Sequence, residues 1–119
     1  MSVTQGLIPS RGDVVLVDLD PVVGHEQGGQ RPALVVSADA MNRSPAGLVI
    51  VAPITGTDRG IPAHVKVSPP EGGLARTSVI MADQVRTISR RRVARRLGAV
   101  SASTMGQVED RLRLVLDLT

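Results

Sequence analysis

Three groups of residues in this chain could carry chemistry. The first is His25-Glu-Gln-Gly-Gly-Gln-Arg31-Pro32, in which a glycine-containing loop delivers an arginine to the mouth of a strand. Gly28 and Gly29 permit close backbone approach to a ligand, and the Arg31 guanidinium can donate two parallel hydrogen bonds to a phosphate. The same pattern also describes a hairpin loop with a solvated arginine. The second group is Pro53-Ile-Thr55-Gly-Thr57, at the exit of an apolar run. A threonine hydroxyl there can donate to a phosphate oxygen, or it can serve as a turn hydroxyl bonded to its own backbone. The third is the series Arg86, Arg90, Arg91, Arg92, Arg95 and Arg96, read as a short connection dense in cations. Such a density concentrates polyanions, and it equally describes a solvated basic face.

Other polar residues suggest less. His64 lies in an alternating strand and reads as a surface or packing histidine, whereas His25, beside Glu26 in a loop, has the better access. Asp13, Asp18 and Asp20 lack a distant partner motif that would complete a two-metal site, so they read as turn and cap residues. Two histidines and no cysteine leave little from which to build a metal centre.

Composition narrows the function classes. The chain has 119 residues, enough for one ordinary domain spanning 1–119, and 42% of them are hydrophobic. Phe, Tyr and Trp are absent, so the core must be aliphatic and aromatic base-stacking platforms are excluded. The net charge is +3, and of 14 cationic residues only Lys66 is not arginine. No stretch approaches the roughly 20 apolar residues of a membrane span, and the N-terminal segment has no apolar core of a signal peptide. The expectation is a soluble, cytoplasmic, basic domain with no membrane partner.

The elements that must position these groups are mostly strands. Residues 13–18, 32–36 and 48–52 are β-branched or aliphatic runs separated by Gly, Pro, Asn and Ser. Residues 22–30 read as a mobile loop and residues 56–62 as a second loop. His64 to Val67 alternates polar and apolar residues. Thr77 to Met81 and Gln84 to Ile88 read as a strand pair, or as one strand interrupted near Asp83, with Gln84 and Arg86 outward if Val85 points in. At the C-terminus Met105, Val108, Leu112, Val115 and Leu116 share one helical face, and Ser101, Ser103 or Thr104 is placed to cap it. Short strands closed by one amphipathic helix predict a mainly β fold, a small twisted antiparallel barrel rather than βαβ units.

Taken together, these segments resemble the MazF/PemK family of toxin endoribonucleases from type II toxin–antitoxin modules. The resemblance rests on Arg11-Gly-Asp13, the run to Asp18-Leu-Asp-Pro21, Gly24-His-Glu-Gln-Gly-Gly29 with Arg31-Pro32, then Ala52-Pro-Ile-Thr55 and Ser78-Val-Ile-Met-Ala-Asp-Gln-Val-Arg-Thr-Ile88. It extends from about Arg11 to the C-terminal helix. It implies an SH3-like barrel of the MazF/PemK/CcdB type, a homodimer, no cofactor and no metal. The implied activity is cleavage of single-stranded RNA at short sequence motifs in messenger RNA, with the substrate's own 2′-hydroxyl as nucleophile and a cyclic phosphate on one product. An acidic, MazE-like antitoxin is the implied neutralising partner, with the Arg86 to Arg96 series as its electrostatic complement. Carried over by position, the catalytic residues fall on Arg31, Thr55 and Glu26. The substrate contacts fall on His25, Gln27, Gly28, Gln84 and Arg86.

That assignment suits the chemistry. In-line attack builds negative charge on the phosphorane oxygens, which a guanidinium and a hydroxyl donor stabilise more than the ground state. An arginine with a pKa above about 12 is a poor proton shuttle, so Arg31 is assigned to electrostatics. Glu26 or His25 would take the 2′-proton, and an ordinary histidine pKa near 6.5 favours His25. The first strand lacks the aromatic residues usual in the family, so bases would be held by guanidinium stacking, aliphatic contacts and hydrogen bonds to their edges. Loops 22–30 and 56–62 are the expected specificity determinants. The alternatives are a non-enzymatic toxin of the CcdB branch and a catalytically silent RNA-binding module. The CcdB branch lacks the Arg31 and Thr55 placements.

Overall fold

The computed structural model describes residues 7–18 and 29–119. In chain order the elements are β1 (Asp13–Asp18), β2 (Gln30–Val35), a single helical turn α1 (Asp39–Asn42), β3 (Leu48–Thr55), β4 (His64–Val67), β5 (Ser78–Met81), β6 (Arg86–Ser89), β7 (Val93–Ala99) and the helix α2 (Ala102–Leu116). The strands form one antiparallel sheet in the order β4-β5-β3-β2-β1-β7, with β6 paired to β3 beside this path. The sheet is curled and barrel-like without closing on itself.

The aliphatic runs of β1, β2 and β3 are buried on both faces. Because successive side chains point to opposite sides, each strand feeds two cores. Val14, Leu34, Ala52 and Ile54 face one core with Val65, Val67 and Ile80. Val15, Val17, Ala33, Val35, Val49 and Val51 face the other with Ile88 and Val93. β-branched side chains suit such a pleated, doubly buried layer, and they replace the missing aromatics here.

The helix closes the first core. Val108 is fully buried in it, with Met105 and Leu112 packed against its edge. The expected apolar face extends too far, however: Val115 and Leu116 are exposed, Leu116 by 53%, because the last turn runs past the sheet. Ser101 is the N-cap, its hydroxyl accepting the Thr104 N–H at 3.1 Å. Two side chains pin α2 to the sheet. The Glu71 carboxylate accepts the Ser101 N–H at 2.8 Å at the positive end of the helix. Arg11 donates to Glu109 and, at 3.0 Å, to the Val36 carbonyl.

Residues 78–89 follow one of the two expected readings, a strand interrupted near Asp83: β5 and β6 are separated by the turn Ala82–Gln84 and both pair with β3. Two sequence expectations change. The arginine-rich stretch is not merely a connection, since most of it is β7, paired with β1 through a ladder broken by two register shifts. Arg31 belongs to β2 itself, paired with Val17, rather than to the loop before it. Among the described residues no helix is long and apolar enough to cross a membrane.

Candidate active site

Arg31 and Thr55 come from neighbouring strands. The β2–β3 pairs run from Val35↔Val51 to Ala33↔Pro53, two residues short of Arg31 on β2 and of Thr55 on β3. Both stand at one end of the sheet, where β3 leaves its partner β2 and goes on to pair with β5 through Thr55↔Val79. Both line one cleft of about 610 Å³, together with Gly56, Arg76, Ser78 and Arg95. Three guanidiniums thus border one opening, and no acidic side chain among the described residues lines it.

Arg31 and Thr55 are also shared walls. Arg31 lines a second, smaller depression of about 70 Å³ with Arg86, Arg92 and an apolar floor that includes Val51 and Ile88. Thr55 lines a third of about 300 Å³ with Gln84, Arg59 and His64. Four of the expected site residues therefore line three hollows that share walls: Arg86 and Arg31 the small depression, Arg31 and Thr55 the cleft, Thr55 and Gln84 the third. His25, Glu26, Gln27 and Gly28 lie outside the described residues.

The hydroxyl of Thr55 is locally engaged. Its Oγ1 accepts the Thr57 N–H at 3.2 Å, the backbone-bonded turn threonine that the sequence also allows. This contact uses the oxygen as acceptor and leaves its hydrogen to donate, so the two readings of Thr55 are compatible. Downstream, the loop is held by Asp58. Its carboxylate sits below the ordinary range, first because the Gly60 N–H donates to it at 2.9 Å and then because of Lys66.

The arginine series divides by role. Arg90 donates to the carbonyls of Asn42 at 2.7 Å and Ser44 at 3.1 Å, closing the end of α1. Arg96 pairs with Asp13 at 2.9 Å, and Arg92 reaches the Asp18 carbonyl at 3.4 Å. Arg86 and Arg95 line these hollows. Asp13 accepts the Ser10 N–H at 2.8 Å, a turn contact as expected, whereas Asp18 accepts from the Gln30 side chain at 3.1 Å across the β1–β2 pair rather than in a turn or cap; Asp20 lies outside the described residues. No group of three His, Asp or Glu side chains among the described residues could hold a metal ion.

Sequence reasoning did not single out Arg76 or Arg95 for the cleft. Arg76 stands in a Gly- and Pro-rich break, and Arg95 was one of six similar arginines whose strand had no apolar alternation. His64 is a packing residue, as expected, with its side chain only 4% exposed and Nε2 at 3.1 Å from Asp83. Its Nδ1 is buried without a partner.

Comparison with known proteins shows the family and the fold. The family described as "PemK-like, MazF-like toxin of type II toxin-antitoxin system" matches residues 10–116. The chain is 38% identical over 113 residues to Endoribonuclease EndoA of Bacillus subtilis (strain 168), covering 94% of this chain and 97% of that protein. It is similar to a crystal structure of MazE-MazF from Deinococcus radiodurans, with a TM-score of 0.82 at 34% identity, covering 95% and 99% of the two chains. It also resembles a mycobacterial endoribonuclease in complex with its cognate antitoxin, with a TM-score of 0.73 at 28% identity over 94% and 96% of the chains. With the family matching the whole sheet, including both strands that carry Arg31 and Thr55, and all of α2, this chain belongs to the PemK/MazF-like toxins of type II toxin–antitoxin systems.

Proposed function

We propose that this chain is a toxin endoribonuclease that cleaves single-stranded RNA by internal 2′-hydroxyl attack, without a metal, at the groove between Arg31 and Thr55. The observation that carries the reading is the placement of a guanidinium and a donor-competent hydroxyl on neighbouring strands of a cation-lined cleft. The name of the Bacillus subtilis relative supports the reaction class.

In the reaction the 2′-oxygen forms a bond to phosphorus as the bond to the 5′-oxygen breaks. The products are a cyclic phosphate and a 5′-hydroxyl. Arg31 offsets the charge that develops on the non-bridging oxygens, and the Thr55 hydrogen adds a second donor in a partly enclosed site. Glu26 or His25 accepts the 2′-proton, and the departing 5′-oxygen takes a proton from solvent water. Gln84 and Arg86, which line the two hollows that share walls with the cleft, contact the flanking nucleotides.

An acidic antitoxin occupies the same groove in this reading. Two relatives solved with antitoxins support such a partner. The active form is a homodimer in the cytoplasm, where messenger RNA is met. Light scattering of the isolated chain tests the dimer.

The decisive experiment incubates the purified chain with mixed-sequence single-stranded RNA in EDTA, beside Arg31→Ala and Thr55→Ala. Discrete cleavage lost in both variants is the expected result. RNA that is retarded but never cut would make the chain a binding module instead.

A further inference from the structure

We propose that Arg76 and Arg95 form a second phosphate subsite in the cleft, which holds the phosphodiester next to the one being cleaved. The proposal rests on the nuclease reading of Arg31 and Thr55 and extends it to two residues outside that pair.

Three observations converge on it. First, the cleft is bordered by Arg31, Arg76 and Arg95 with no carboxylate among its described walls. One phosphodiester carries a single negative charge and cannot offset three guanidiniums gathered at one opening, whereas two successive phosphates match them far better. A cleft of about 610 Å³ lies in the range that accommodates a multi-group ligand rather than one phosphate.

Second, both side chains are delivered by ordered backbone. The Arg76 guanidinium lies against Gly56, so close that a Cβ at residue 56 would stand 2.9 Å from its Nε. This places it directly beside Thr55. The Ser78 hydroxyl donates to the Arg76 carbonyl at 3.0 Å and holds the chain there. Arg95 sits on β7 opposite Leu16 and lines the cleft with Leu97, two residues along, while Arg96 between them turns away to Asp13.

Third, neither guanidinium bonds a carboxylate within the described residues, in contrast to Arg11, Arg96 and Arg113, each of which does. Their backbone positions are fixed by the fold and their guanidiniums are left unneutralised, so a phosphate can pair with them without displacing a carboxylate.

The test uses the full chain with a labelled mixed-sequence 2′-O-methyl oligoribonucleotide, which cannot undergo 2′-hydroxyl attack. Binding is measured by fluorescence anisotropy across a salt series for wild type, Arg76→Ala, Arg95→Ala, Arg76→Lys and Arg31→Ala. Both residues are exposed, and thermal unfolding of each variant checks that the fold is retained.

The subsite predicts that Arg76→Ala and Arg95→Ala each weaken binding about tenfold. Each also makes the slope of log affinity against log salt shallower by about 0.7, as loss of one single-strand phosphate contact requires. Arg76→Lys, which keeps the charge, restores the slope. On cleavable RNA both alanine variants raise KM and hold kcat within a few fold, whereas Arg31→Ala loses kcat.

Unchanged affinity and slope in both alanine variants would overturn the subsite. So would a weakened affinity that Arg76→Lys leaves without its slope, since packing over Gly56 rather than charge would then be the cause. Loss of affinity for an oligoglutamate peptide alone, with RNA binding intact, would assign these arginines to an acidic protein partner and equally overturn it. A wild-type chain that binds RNA without cutting it would refute the nuclease reading, and the salt slopes would then decide the subsite on their own.

Discussion

The amide of Thr57 donates to Oγ1 of Thr55 over 3.2 Å, at the last residue of β3, which lines the same cleft as Arg31. The contact uses the oxygen as acceptor and leaves the hydroxyl hydrogen to donate. Thr55→Ser preserves this arrangement and is expected to cleave RNA at close to the wild-type rate. Thr55→Val keeps the shape, loses the donor and is expected to fall about 100-fold in single-turnover rate. Equal activity of the Ser and Val variants would remove the hydroxyl from the mechanism.

His25 is assigned a part in accepting the 2′-proton, and this predicts a pH signature. The wild-type profile of kcat/KM should show an acid limb in the ordinary histidine range, about 6.5. In His25→Ala the rate falls and that limb disappears. An acid limb that persists unaltered in the variant would assign the base to another group.

Glu71 joins the cleft wall to α2, and its carboxyl is held below its ordinary 4.5 by the Ser101 N–H first and the Thr104 hydroxyl next. Because the folded-state pKa is depressed, the stability it contributes is fully present above about 4.5 and is lost as pH falls through the lowered value. Urea denaturation of wild type and Glu71→Gln should therefore differ most near neutral pH. The two curves should converge in acid. A difference that grows on acidification would contradict this sign.

Gly73 and Gly98 let the turn Glu71–Gly73 cross β7 at van der Waals distance. A Cβ on Gly73, which has φ +70°, would fall 2.1 Å from the Leu97 carbonyl oxygen, and one on Gly98 would fall 2.7 Å from the backbone of Gly72 and Gly73. Backbone cannot yield as a side-chain tip can. Each alanine substitution is expected to lower unfolding free energy by about 3 kcal/mol, with RNA cleavage lost alongside because Gly73 borders the cleft. Gly106→Ala on α2, where nothing lies within 4 Å, is the matching control and should leave stability unchanged or slightly raised.

Asn42 is a wholly buried polar side chain whose amide serves one neighbour twice: its Oδ1 accepts from the Ser37 hydroxyl and its Nδ2 donates to the Ser37 carbonyl at 3.2 Å. Asn42→Ala removes the amide donor from the Ser37 carbonyl and leaves the Ser37 hydroxyl only its contacts with the Ile50 backbone. The expected loss is about 2 kcal/mol in chemical denaturation. A neutral result would mean that water reaches Ser37 in the variant.

The strands were legible wherever side-chain type and spacing both spoke. β1, β2, β3 and β4 follow from β-branched runs bounded by Gly and Pro, because a two-residue period with aliphatic residues has few other stable uses. The C-terminal helix and its Ser101 cap follow from a local pattern in the same way. β7 was not legible, since Val93-Ala-Arg-Arg-Leu-Gly-Ala has no alternation of its own. It becomes a strand only because β1 offers it a ladder, through a register with two shifts. The helix face was overread at Val115 and Leu116 because periodicity reports which residues share a face, not how far the sheet beneath them extends.

By itself the sequence determined an aliphatic two-sided core and a basic surface, and offered Arg31 and Thr55 as candidates for phosphate chemistry. The tertiary structure alone decided which arginines border one cleft. Arg90 and Arg96 are spent on a carbonyl pair and a carboxylate, while Arg95, beside Arg96 in sequence, joins Arg31 and Arg76 at one cleft. Six arginines of one type in one short stretch are indistinguishable as letters. Pairing register separates them, because on a strand each step of one residue turns the side chain to the opposite face.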